Sequence, residues 1–419
     1  MAAQRPIEIK ALSGARAFPP LILVLYHFGE GHHYQNVFWY DALIAKGYLW
    51  VEFFFVLSGF ILVHVYGNLP FSPPPLWGGR RRERSELRRV GGDVESGPPP
   101  GSLRSPTSPQ GGGFTYLEFL RARLARLYPL HVFMLLTILA LMVGLRALAS
   151  TGGYVSIYDL PYHPMNTWPS FVANLFLVQA WNIFPWLTWN GASWFVSVEF
   201  LLCLLFPVYL FLSRGGAVRG LLLIVAGGAV LNYLAMTSGH GLDLTFHNGI
   251  FRGMAGFAIG VGLSMLYRAA MAKGWGHLPE GLFTLAQTAA VLLLLDAIYR
   301  TSWAHKPDDI WVALSMALLI LTLAFDRGAV ARVLSAGPVL LLGEWSYAIY
   351  MGQTAWLQFI RYLEQRWYPG VDPHAIWWIE PAGLLVVCIF WGALLAHFIE
   401  KPANAFLRSL GRRKAPVKA

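Results

Sequence analysis

The chain has 419 residues, of which 56% are hydrophobic and only 13% charged, and its mean hydropathy is +0.49. That balance excludes a soluble globular domain of ordinary composition and points to a protein built to sit in lipid. The net charge of +10 would suit a nucleic-acid binder if it formed a patch. It follows the edges of apolar runs instead, so it reports membrane topology and excludes that class.

Runs long enough to cross roughly 30 Å of hydrocarbon as helices give about ten expected spans, at 11–28, 48–67, 116–145, 192–212, 218–236, 250–267, 281–299, 310–325, 336–358 and 381–399. The expected fold is all-α, a polytopic helical bundle. Residues 168–187 are apolar too, but their prolines and tryptophans suggest an interfacial or re-entrant segment. With these spans, Lys46, Arg146, Arg300, Lys306, Arg361 and Arg366 fall on one side of the membrane. Most other cations, including Arg214, Arg219, Arg268, Lys273, Arg327, Arg332 and those of the C-terminal tail, fall on the other. The positive-inside rule then puts both termini in the cytoplasm, as expected of a protein of the cytoplasmic (inner) membrane. No cleavable signal sequence is expected, because the first apolar run lacks a small-residue cleavage site and is followed by further spans.

Taken in chain order, residues 1–70 hold the first two spans. The first contains GARAFPPLILVLYHF, with Arg16 and His27 eleven positions apart, which at about 100° per residue leaves them roughly 20° out of phase on one helix face. A charge in a span normally faces protein interior or water, so the pair marks a polar path through the bundle. Pro19 and Pro20 should bend the helix between them. A neutral imidazole at His27 is a proton acceptor suited to general-base work. Residues 71–113, dense in Pro, Gly, Ser and Arg, cannot bury a core and are expected to form a disordered cytoplasmic insert.

Residues 114–402 carry the remaining spans, and 403–419 read as a basic cytoplasmic tail. Arg123 and Arg126, at i and i+3, share a face near the entrance of the third span. Both suit forked phosphate binding, though spacing alone fits positive-inside anchoring better. The outward loop from Ala147 to Gly191 and the adjoining Trp194 are rich in tryptophan, serving either as interface anchors or as platforms for sugar rings. Glu199 needs a partner: it can orient His27, bind a sugar hydroxyl, or pair with Arg252. Glu52 reads as structural more than catalytic. Ser346, Tyr347 and Tyr350 offer hydroxyls inside the ninth span. Cys203 and Cys388 lie in apolar runs and read as small core residues. Glu30, His32 and His33 lack an evident fourth ligand, so no metal is expected.

These stretches, in order, resemble the acyltransferase-3 family of integral membrane acyltransferases. The resemblance begins with Arg16 and His27 in the first span. It continues through WVEFFFVLSGFIL, FLRARLARLYPLHV, GASWFVSVEF, FRGMAGFAIGVGL, GEWSYAIYMGQ and FIEKP. Where many relatives carry a histidine after the SY-x-x-Y pattern, this chain has Gln353. The resemblance implies an O-acyltransferase moving an acyl group, commonly acetyl from acetyl-CoA, to a hydroxyl of an exopolysaccharide or cell-envelope glycan. With it, His27 and Arg16 are expected to be catalytic and Arg123 and Arg126 to bind the CoA phosphates; by their own chemistry Glu199 joins the catalytic candidates and Trp194, Ser346 and Tyr350 are candidate substrate contacts. Expected partners are membrane lipid, the glycan acceptor and proteins of polysaccharide synthesis or export, with no nucleic acid. The alternative class is a polytopic transporter or exporter of a glycan or lipid-linked substrate, which also uses intramembrane charge.

Overall fold

The computed structural model describes residues 8–32, 38–67, 71–72, 114–152, 165–303, 308–367 and 379–410. The first expected span is divided. α1 (Lys10–Ala15) stops before Arg16, and α2 (Phe18–His32) starts two residues later. Pro19 and Pro20 fall in the first turn of α2, where a missing N–H costs nothing. The prolines therefore open a second helix rather than kink a continuous one, so the bend expected between Arg16 and His27 is a full break.

α3 (Phe38–Leu43) leads into α4 (Trp50–Tyr66). Phe71–Ser72 pairs in parallel with Phe114–Thr115, which brings the two ends of the insert together; residues 73–113, expected to be disordered, lie outside the described residues. α5 (Tyr116–Gly152) follows. α6 (Trp168–Leu175) is capped by Thr167 and Ser170 in a reciprocal box. At 8 residues it extends only about 12 Å, too short to cross, and irregular chain continues to Asn190, as an interfacial or re-entrant segment requires. The bundle is completed by α7 (Trp194–Leu212), α8 (Ala217–Thr237), α9 (Gly249–Ala272), α10 (Glu280–Trp303), α11 (Asp309–Leu323), α12 (Ala329–Leu334), α13 (Gly337–Trp367), α14 (Ile379–Leu395), a π-helical turn at Ala396–Glu400, and α15 (Lys401–Leu410).

The chain is a multi-pass, all-helical membrane protein. Among the described residues, 7 helical stretches are long and apolar enough to span: Tyr40–Tyr66, Tyr116–Leu145, Gly191–Leu212, Ala217–Thr237, Gly249–Ala272, Glu280–Trp303 and Pro381–Leu410. The expected count of about ten is not reached on that standard, for three physical reasons. The first span is broken. α11 has 15 residues, roughly 22 Å of helix. α13 is long, but its central SYAIYMGQT is too rich in hydroxyl and amide groups to read as apolar.

α4 and α9 are the most enclosed of the spans. They cross in close backbone contact, because a methyl group on Gly59 would strike the Phe257 carbonyl and one on Gly260 the Val56 carbonyl. Beside this crossing Glu52 accepts from Arg252 Nε, and both side chains are fully buried. Arg252 also donates to the carbonyls of Leu244 (3.1 Å) and Tyr48 (2.8 Å) and lies 5.5 Å from the Trp194 ring centre. Contacts also gather the cations at one end of the bundle. Arg268 donates to Ser213, Arg327 to Gly276, Arg332 pairs with Glu280, and Lys401 with Glu344. We call this end the basic face.

Candidate active site

A cavity of about 180 Å³ enters the bundle between α4, α5, α7, α13 and α15. Along α4 its lining runs from Tyr66, near the basic face, to Phe54, a helical distance of about 18 Å. Arg16 joins from the break between α1 and α2. The close approach that puts it there depends on Gly14, where any side chain would collide with the Leu334 carbonyl.

The two ends of the cavity differ in chemistry. Near the basic face it is cationic: Arg16, Arg123, Arg126 and Arg408 line it, against the single lining carboxylate Glu199. Glu199 accepts from Arg123 Nη2 and, at 3.1 Å, from Ser58 Oγ. Buried Glu400 lies close enough to Arg126 to interact with its charge, so among the described residues four guanidinium groups and two carboxylates meet here. Arg123 and Arg126 are one helical turn apart on α5, as the i, i+3 spacing predicts, whereas Arg121 is exposed. The other end is aromatic. Phe54, Phe195 and Tyr350 form a triangle with ring centres 5.7, 5.9 and 6.5 Å apart. Ser346 lines the wall on the same helix face as Tyr350, and Tyr347 Oη donates to the Leu127 carbonyl at 2.7 Å, fixing α13 against α5.

Of the residues singled out from the sequence, Arg16, Arg123, Arg126, Glu199, Ser346 and Tyr350 meet in this one cavity. His27 is not among its lining residues. It is half-buried on α2, with its ring centre 5.0 Å from that of Tyr26. Trp194 is buried and packed on Arg252 and Phe55 rather than presented to a sugar. Two expected partnerships are corrected. Glu199 bonds Arg123 and Ser58, not His27 or Arg252, and Arg252 takes Glu52 instead, because Glu52 and Arg252 face each other across the α4–α9 crossing while Glu199 faces the cavity. The side chains of Glu30, His32 and His33 lie outside the described residues.

Sequence reading missed Ser58, the aromatic triangle and Arg408. Ser58 was visible as the one hydroxyl in WVEFFFVLSGF. Arg408 was hidden among the many cations of the tail.

A family model described as "Acyltransferase domain" matches residues 9–397. "Acyltransferase MdmB" of Streptomyces mycarofaciens is 25% identical over 438 residues, covering 98% of this chain and 94% of its own length. No solved structure matches. The lipid-spanning bundle, its charged cavity and a family match that takes in every cavity-lining residue named above except Arg408 agree: the chain belongs to this family of membrane acyltransferases.

Proposed function

We propose that the protein transfers an acyl group, acetyl in the simplest case, from acyl-CoA to a hydroxyl of an exopolysaccharide or cell-envelope glycan. The observation that carries this reading is the two-ended cavity. A cluster of guanidinium groups at one end suits a polyanionic nucleotide, and an aromatic end suits an uncharged thioester arm. On this reading the basic face is cytoplasmic, the protein lies in the cytoplasmic membrane, and the donor enters from the side where acyl-CoA is made. The phosphates lie against Arg123 and Arg126, and the pantetheine arm passes Arg16.

His27 is then the general base. The thioester end reaches the imidazole once Phe54, Phe195 and Tyr350 move aside, and the acceptor arrives from the opposite face. The imidazole takes the acceptor's hydroxyl proton as its oxygen attacks the thioester carbonyl. The tetrahedral intermediate collapses, the C–S bond breaks, and the imidazolium returns its proton to the departing CoA thiolate. Glu199 acts from the donor side, holding Arg123 in place. Proteins of polysaccharide synthesis or export are the natural suppliers of acceptor.

Purified protein should release CoA thiol from acetyl-CoA when acceptor glycan is supplied, which a carrier would not do. His27→Ala should lower turnover by about 10²–10⁴-fold with folding intact. Undiminished turnover would remove His27 from the mechanism. Mass spectrometry of glycans from a deletion strain identifies the acceptor by the acyl mass it loses.

A further inference from the structure

On α13 the lining of the cavity ends at Tyr350, one corner of the aromatic triangle. Two buried carboxamides stand immediately beyond it. Gln353 follows Ser346 by seven residues, which leaves it within about 20° of the same line along α13 and about 4.5 Å further along the helix than Tyr350. Asn190 ends the irregular segment before α7, five residues ahead of Phe195, another corner of the triangle. Gln353 is 0% exposed and Asn190 1%.

Both amides are anchored in the same way. Gln353 Nε2 donates to the Tyr350 carbonyl at 3.1 Å, and Asn190 Nδ2 donates to the next carbonyl of the helix, that of Met351, at 3.0 Å. Only the NH2 end of a carboxamide can face a carbonyl, so these bonds fix which end is held and leave the two oxygens turned away from their anchors. Among the described residues neither Gln353 Oε1 nor Asn190 Oδ1 has a hydrogen-bond partner. A buried acceptor without a donor is costly and rare in a folded protein. Two of them, held on consecutive carbonyls, call for an uncharged ligand that carries N–H or O–H groups. Both side chains are closed to solvent, and the open volume beside them is the cavity that begins among the arginines. A ligand that reaches them along that volume arrives from the nucleotide end.

We infer that Gln353 Oε1 and Asn190 Oδ1 accept hydrogen bonds from the two amide N–H groups of the donor's pantetheine arm once the triangle has parted around it. This rests on the acyl-CoA reading above and deepens it. The arginines hold the charged end of the donor, and the two carboxamides hold its neutral arm in register, so that the thioester stops at a fixed depth.

The test measures binding of three ligands to the full-length protein in lipid nanodiscs by calorimetry. They are coenzyme A and two analogues of it, each with one pantetheine amide N–H replaced by an ester oxygen, which cannot donate. Wild type should bind each ester analogue about 10-fold more weakly than coenzyme A. Gln353→Met and the smaller Gln353→Ala should each abolish the preference against one analogue, and Asn190→Leu the preference against the other, with thermal unfolding midpoints recorded for all. Wild type that binds amide and ester ligands equally, as it would if water alone filled the site, overturns the inference. So does a variant at either position that weakens all three ligands by one common factor, which is the mark of a purely structural role. Neither result touches the acyl-CoA reading, whereas failure of wild-type protein to bind coenzyme A overturns both.

Discussion

The sealed Glu52–Arg252 pair and the charges of the cavity differ in a way that separates scaffold from site. At the α4–α9 crossing, Arg252 meets Glu52, two backbone carbonyls and an indole face, and neither side chain reaches solvent. The buried carboxylate and guanidinium bond each other directly, and neither lines the cavity. In the cavity, Arg16, Arg123, Arg126 and Arg408 line an open volume together with the carboxylate Glu199. Intramembrane charge alone does not mark function. Charge that lines an open cavity is where a ligand can be held.

The comparison can be broken most decisively at the sealed pair. Glu52→Ala or Arg252→Ala strands a buried charge and should cost about 3–5 kcal/mol, enough to abolish a monodisperse peak in detergent. Replacing both at once by Leu and Met should be milder. A single variant as stable as wild type would show that the pair is not structural. A smaller and different effect is expected at the cavity. Arg123→Ala with Arg126→Ala leaves Glu199 only its bond from Ser58 and should lower the unfolding midpoint less than the sealed-pair variants, while kcat stays close to wild type and the acetyl-CoA KM rises by about 100-fold. A fall in the midpoint without a change in KM would reverse the assignment. The smallest effect belongs to Ser58→Ala, which removes a hydrogen bond to Glu199. It should cost about 1 kcal/mol of donor binding, a several-fold rise in KM, and no change in KM would show that Ser58 does not support the site.

Much of this was legible in the sequence because it depends on local spacing. Hydropathy located seven of the expected spans as helices long and apolar enough to cross, and the i, i+3 spacing placed Arg123 and Arg126 on one face. The pairing of the acids was not legible. Glu52 lies 200 positions from Arg252, and Glu199 lies 76 from Arg123, so only the packing of α4, α5, α7 and α9 decides which acid meets which base. Pro19 and Pro20 announced a disturbance, but not that the chain would restart as a new helix at Phe18. Arg408 was illegible for a subtler reason. Its direction depends on a single π turn that shifts the register of everything after it, and composition does not encode that shift.

The central claim is that the donor lies in the cavity with its phosphates on α5 and its acyl end directed past the aromatic triangle to His27. An experimental structure with a non-hydrolysable thioether analogue of acetyl-CoA tests this directly. The account predicts the diphosphate within about 4 Å of the Arg123 or Arg126 guanidinium, Phe54, Phe195 and Tyr350 parted around the pantetheine arm, and its acyl end facing the imidazole. An analogue bound elsewhere, or a His27 ring turned to lipid with no route to it from the cavity, would contradict it.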